Sequence, residues 1–281
     1  MTIKNTLART FLPRSFYERL LARRHITWAE RLGLIQPPWH AYGIIRGAQA
    51  AKKVGYDAIT IAEFGVANGR GLRQMLKIAS LVTERTGVYI NVLGFDAGQG
   101  LPPPTDYRDH PEIFMEGDYP MQDQEALLAD LKGKAEIYIG DIRNIYASQV
   151  FTSDAPLGYA SIDVDYYSSA KSALNLFRSD VELFTPRFPI YFDDVYTRWE
   201  YNRYCGELLA IEEFNSENST RKIDVDRSTG ICTENVARGT QVSTRFKFWI
   251  TRAVTYPTVM SRKFLKAVTP EHAQRTSLLL Y

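Results

Sequence analysis

The sequence predicts an α/β fold: a Rossmann-like, doubly wound, mostly parallel sheet preceded by an N-terminal helical extension. Three observations carry this expectation. The stretch Ala58–Phe64 is apolar and β-branched and runs into a glycine loop, Gly65-Val-Ala-Asn-Gly69-Arg-Gly71. Leu72, Met75, Leu76, Ala79 and Val82 then recur at three- and four-residue spacing, the signature of a helix with one apolar face. From Ala58 to Val195, strand-patterned and helix-patterned segments alternate, which favours a parallel sheet with right-handed crossovers. The expected organisation is a helical extension over 1–45, the α/β domain over 46–255 and a peripheral tail over 256–281.

Residues 1–35 interleave Arg9, Arg14, Arg19, Arg23 and Arg24 with Leu7, Phe11, Phe16, Leu20 and Leu21. Such a basic amphipathic stretch can lie on a membrane, dock a partner or pack on the core with its arginines in water. The last is the plainer reading, and these helices are an expected surface for homo-oligomer formation. Pro37-Pro38 interrupts the chain, and a helix pattern resumes over Tyr42–Val54. After the glycine loop and its helix, Val88–Phe95 reads as the second strand, ending in Asp96. The proline- and acid-rich segment Leu101–Met121 is long enough to act as a lid or simply to decorate the surface. A short helix is expected over Gln122–Leu131. Strands follow at Ala135–Ile139 and Leu157–Asp165, a helix at Lys171–Phe184 and a fifth strand at Phe188–Phe192. Thr220–Val225 and Arg245–Ala253 form a late pair that could close the sheet.

Composition narrows the functional classes. The chain has 281 residues, 45% apolar and 23% charged, enough to bury a sizeable core as one large domain with extensions. A net charge of +2 without a dense Lys/Arg block gives no argument for nucleic acid. No apolar run is long enough to span a bilayer, and the opening MTIKNTLARTFLPRSF lacks the apolar stretch of a secretory signal. Two cysteines, Cys205 and Cys232, lack metal-type spacing, so a reducing cytoplasm is the expected location.

The candidate site follows from where the strands end. Glycines at the first turn let main-chain N–H groups approach a ligand at the helix N-terminus. The spacing of Gly65 and Gly69 departs from the dinucleotide pattern, and Glu63 just before them suits an ammonium-bearing ligand better than a pyrophosphate. Asp96, at the end of the second strand, stands where ribose hydroxyls are received. The Gly140-Asp141 pair beyond the third strand can meet an adenine. Asp163 or Asp165 and the pair Asp193-Asp194 end neighbouring strands and crowd negative charge together. Such crowding demands protonation or a cation. Oxygen ligands without His or Cys point to Mg²⁺, Mn²⁺ or Ca²⁺. The plainer alternative is that these acids cap helices or pair with Arg143 and Arg198. His40, just after the proline break, is a further catalytic candidate, although a lone histidine is more often structural.

Together, E-F-G-V-A-N-G at Glu63–Gly69, G-F-D-x-x-x-G-L-P at Gly94–Pro102, S-I-D-V-D-Y-Y-S-S-A-K at Ser161–Lys171 and F-D-D at Phe192–Asp194 resemble the class I S-adenosylmethionine-dependent methyltransferases. More narrowly, they resemble the macrocin O-methyltransferase family of antibiotic-sugar O-methyltransferases. The resemblance implies that Glu63, Gly65, Val66 and Gly69 hold the methionine part of S-adenosylmethionine and that Asp96 takes the ribose. Asp141 and Ile142 would lie near the adenine. It implies Asp163, Asp193 and Asp194 as Mg²⁺ ligands, Asp163 as proton acceptor, and a hydroxyl of a small molecule, such as a sugar or glycosylated metabolite, as substrate. Ala97-Gly98-Gln99 and the long segment after Asp194 depart from the family pattern and leave the acceptor open. Two other classes share parts of this pattern: a nicotinamide-dependent oxidoreductase and a non-catalytic S-adenosylmethionine-binding module. Tyr167 and Lys171 have the spacing of a hydride-transfer pair but follow the fourth strand immediately rather than sitting along a helix that faces a nicotinamide.

Overall fold

The computed structural model describes residues 35–195, 201–226 and 248–253. The expected basic helices over 1–34, Arg198, Cys232 and the tail lie outside the described residues. Among the described residues, no helix is long and apolar enough to cross a membrane.

The elements in chain order are α1 (Pro38–Lys53), β1 (Ala58–Phe64), α2 (Arg70–Thr86), β2 (Tyr89–Asp96), α3 (Gln124–Leu131), β3 (Glu136–Ile139), α4 (Ala147–Val150), β4 (Leu157–Ile162), α5 (Tyr167–Leu176), β5 (Arg187–Phe192), α6 (Gly206–Glu217), β6 (Arg221–Val225) and β7 (Phe248–Ala253). The sheet order is β3-β2-β1-β4-β5-β7-β6. β1 to β5 pair in parallel, and β7 runs antiparallel between β5 and β6. This is the Rossmann-like, doubly wound, mostly parallel sheet that the sequence predicts. α1 runs through the expected 45/46 boundary.

Alternation along β1 sorts its side chains between two cores. Ile59 and Ile61 join α1 and α2 on one face, with Met75, Ile78 and Val82. Ala62 and Phe64 join α5 and α6 on the other, with Leu174, Phe177 and Phe214. By the same parity, Glu63 falls on the α1–α2 face. α1 can approach closely because of its glycines. A Cβ on Gly43 would lie 2.1 Å from the Tyr159 ring, and one on Gly47 would lie 2.2 Å from the Gly158 carbonyl oxygen.

The boundaries differ from expectation at the site. β4 stops at Ile162, because Asp163–Asp165 leave the ladder and Asp165 takes a left-handed φ of 58°. α5 begins at Tyr167, four residues earlier than expected, and ends at Leu176; a short 3₁₀ turn over Val181–Leu183 replaces its expected last turns. The strand order reverses between β1 and β4, the switch point that opens a crevice beyond the strand ends.

Candidate active site

The crevice floor is the glycine loop. Gly65 has φ +87°, and a Cβ there would lie 1.7 Å from the Asp163 carbonyl oxygen. The strand ends are thus in backbone contact, sealed by the Asp163 N–H donating to the Phe64 carbonyl at 2.9 Å. Gly69, also left-handed at φ 73°, starts α2 without a side-chain cap. Asp96 braces this loop. Its Oδ2 accepts the N–H groups of Val66 and Ala67, both at 2.8 Å, and its Oδ1 accepts Gly98 N–H at 2.6 Å. With two lone pairs per oxygen, only Oδ1 keeps room for a further donor such as a ribose hydroxyl.

Glu63 is buried beneath the first turn of α2. A Cβ on Gly71 would meet its Oε1 at 1.8 Å, so glycine there makes room for the carboxylate. Burial, then the Asp96 charge, pushes the Glu63 carboxyl up to about 8, while the Leu72 backbone N–H opposes the rise. Its Oε2 finds no hydrogen-bond partner among the described residues. A buried, half-satisfied carboxylate beside a glycine loop is what a cationic ligand would complete. His40 lies behind it, in the first turn of α1, with Nδ1 3.0 Å from the Tyr159 hydroxyl and Nε2 3.9 Å from Glu63 Oε1. Burial pulls the imidazole down to about 3, so it is neutral. The catalytic candidate His40 is therefore a buried companion of Glu63.

On the far side of Gly65, carboxylates gather beyond β4 and β5. Surrounding protein, then the charges of Asp193, Asp165, Asp194 and Glu63, raises the Asp163 carboxyl well above its ordinary range. The Asp163 side chain is itself exposed to solvent, with the charges of Asp193, Asp165 and Asp194 around it. Asp165 is pushed up to about 8 by burial and by Asp194, with which it shares a hydrogen bond. Glu207, at the start of α6, is fully buried and raised by burial and then by Asp194. Its Oε2 accepts the Asp194 N–H at 3.0 Å, and its Oε1 has no partner among the described residues.

Carboxylate oxygens in this number suit a hard divalent cation. The side chains as they stand do not form a cage. Among the described residues, no three Asp, Glu, His or Cys side chains are placed to hold one ion. Asp193 instead accepts from the Tyr191 hydroxyl, and Asp194 accepts from the Tyr201 hydroxyl at 2.5 Å. Asp163, Asp193 and Asp194 thus share a neighbourhood without converging. Arg143 does not reach them. It pairs with Asp141, whose carboxylate caps the turn over Ile142–Asn144. Asp141 is bound there by its own neighbour, and Ile142 is half-buried beside it.

The segment Leu101–Met121 is tied down at both its neck and its middle. Leu101 N–H donates to Asp118, and Gly117 N–H donates back to Leu101, closing its neck. The fully buried Asp109 accepts from Thr105 N and Ser168 N, both at 2.8 Å. It thereby caps α5, which has no side-chain cap of its own. Tyr167 and Lys171 sit in the first turns of α5, so both lie along the helix. The phenol of Tyr167 donates to Glu213 at 2.6 Å, and Lys171 Nζ donates to the same oxygen at 2.6 Å. That pair ties α5 to α6.

Glu207, Asp109 and the Tyr191 and Tyr201 hydroxyls escaped the sequence reading. The one available signal was an acid opening a helix-patterned stretch at Gly206-Glu207.

No family model matches the sequence, and no curated protein matches it. Among solved structures, the calicheamicin methyltransferase CalS11 aligns with TM-score 0.47 and 16% identity over 88% of this chain and 96% of that one. TomG, an O-methyltransferase from Streptomyces achromogenes involved in tomaymycin synthesis and bound to SAM, aligns with TM-score 0.40 and 10% identity over 76% and 80%. An O-methyltransferase from Bacillus cereus in complex with SAH aligns with TM-score 0.38 and 11% identity over 89% and 96%. Similarity at this level carries no functional inference for this chain.

Proposed function

We propose that the chain is an S-adenosylmethionine-dependent O-methyltransferase acting on a hydroxyl of a small molecule, with a sugar or glycosylated metabolite as the acceptor class. The carrying observation is the pair of sites on either side of Gly65. The buried, half-satisfied Glu63 lies on one side, and solvent-open Asp163 among charged neighbours lies on the other. A ligand whose ammonium met Glu63 would lie along the Gly65 loop, with Asp163 on its other side to receive an acceptor hydroxyl.

In this reading the loop Gly65, Val66 and Gly69 cradles the methionine portion, Asp96 offers its remaining Oδ1 site to a ribose hydroxyl, and Asp141 and Ile142 border the adenine. The substrate oxygen attacks the methyl carbon in line; the C–O bond forms as the C–S bond breaks, and the sulfonium charge is lost. Much of the rate then comes from alignment. Asp163 receives the hydroxyl proton, because a carboxylate raised by its neighbours is a better base than an ordinary one. A divalent ion such as Mg²⁺, if held by Asp163, Asp193 and Asp194, would supply Lewis-acid polarisation that lowers a substrate hydroxyl's pKa. Asp193 and Asp194 would first have to turn from Tyr191 and Tyr201. The occupation of Tyr167 and Lys171 by Glu213 disfavours the oxidoreductase alternative. A cytoplasmic location, with no nucleic-acid partner, is part of the proposal.

The test is transfer of labelled methyl from S-adenosylmethionine to a panel of sugars and glycosylated hydroxyl compounds. Asp163→Asn is expected to lower kcat about 100-fold or more while leaving donor affinity nearly unchanged. Equal activity in variant and parent would refute the assigned base.

A further inference from the structure

His40 is joined to a chain of polar groups that ends on the candidate cofactor carboxylate. Ser161 is the β4 residue in register with Glu63 on β1, and Tyr159 lies two residues before it on the same strand. The Tyr159 phenol is 3.0 Å from His40 Nδ1. If the phenol donates this bond, its proton goes to Nδ1. The neutral imidazole then carries its N–H on Nε2, the nitrogen facing Glu63 Oε1 at 3.9 Å. The ring is held edge-on to Tyr159 and Tyr191, with centroids 6.2 and 6.4 Å away, and is only 3% exposed. Little freedom remains for it to point elsewhere.

We infer that His40 is a positioning residue, whose Nε2–H steadies the Glu63 carboxylate so that its free Oε2 faces the amino-acid head of the adenosyl ligand. This rests on the function proposed above. At 3.9 Å the two atoms are about 1 Å beyond hydrogen-bond reach, and this gap must shorten once Glu63 is an anion against a cationic ligand. His40 therefore selects for adenosyl thioethers that carry an ammonium group, and it never touches the reacting atoms. Strands packed against α1 supply the arrangement: Glu63 comes from β1, Tyr159 from β4 and Tyr191 from β5. Gly71 of α2 leaves the space that Glu63 fills.

The experiment is calorimetric titration with two probes, S-adenosylhomocysteine and 5′-methylthioadenosine, which shares the adenosyl thioether but lacks the amino acid. His40→Leu is expected to weaken S-adenosylhomocysteine binding about tenfold, the loss of one charge-assisted hydrogen bond. Its affinity for 5′-methylthioadenosine stays within about twofold, which also reports that the pocket is intact. Tyr159→Phe, which removes the phenol that sets the imidazole's tautomer, shifts the same selectivity in the same direction. His40→Gln, which can still donate, recovers part of the loss. Parallel loss of both probes would make His40 merely structural and overturn the inference, as would unchanged affinity for both. A parent protein that binds neither probe would overturn the proposed function, and the inference with it.

Discussion

Replacing Glu63 with glutamine should stabilise the ligand-free protein while weakening donor binding, and the stabilisation should grow with pH. Glu63 has an ordinary carboxyl value of 4.5 in the unfolded chain and about 8 in the fold. Above pH 4.5 the unfolded chain has released this proton while the folded one retains it. Folding therefore loses stability as pH rises from 4.5 toward 8, and the loss levels off above that. With one pKa unit worth about 1.4 kcal/mol, the cost reaches about 4 kcal/mol at pH 8 and is below about 1 kcal/mol at pH 5. Glutamine fills the same volume beneath Gly71 with no charge to bury. Its stability advantage should be small near pH 4.5 and grow by about 4 kcal/mol by pH 8, a melting-temperature gain on the order of 10 °C. Denaturant melts of both proteins across this range read the difference directly, since the other titrating groups are common to both. A difference that stays flat from pH 4.5 to pH 8 would refute the buried, proton-retaining Glu63.

Two further outcomes follow from the backbone and from the 101–121 segment. Gly65→Ala forces a side chain into a left-handed conformation, costing about 1–2 kcal/mol. It also drives Cβ into the Asp163 carbonyl, which is backbone and cannot swing away. The sum should be about 3 kcal/mol or more, read as a lower melting temperature together with lost adenosyl binding; a melt within 2 °C of the parent, by the usual scale of about 2–4 °C per kcal/mol, would contradict the close strand contact. Asp109→Ala removes the cap on α5 and the anchor of the 101–121 segment, costing about 2 kcal/mol. Limited proteolysis should then cut that segment faster than in the parent, and an unchanged cleavage rate would show that Asp109 is not its anchor.

The parts of the site that follow from local sequence were legible without coordinates. Ala58–Phe64 and the glycines after it fix a strand, a turn and a helix, and strand parity alone sends Glu63 to the α1–α2 face. Parallel pairing of β4 with β5 then brings Asp163 near Asp193-Asp194, as expected. What depends on distant partners was not legible. Asp96 looked like a ligand acceptor, yet it spends three of its four lone-pair positions on Val66, Ala67 and Gly98. Asp141 is held by Arg143 two residues on, a local pairing that competes with any ligand. The early start of α5 follows from Asp109, 59 residues upstream of Ser168, which caps its first turn. The role of Glu207 depends on α6 folding back to the Asp194 N–H, and no spacing in the sequence encodes that contact.

The most direct test of the central claim is calorimetry on metal-stripped protein with S-adenosylmethionine, S-adenosylhomocysteine and NAD, repeated with Mg²⁺. The account predicts binding of both adenosyl ligands, no binding of NAD, and a separate Mg²⁺ isotherm that Asp193→Asn combined with Asp194→Asn removes. Binding of NAD without the adenosyl ligands would contradict it.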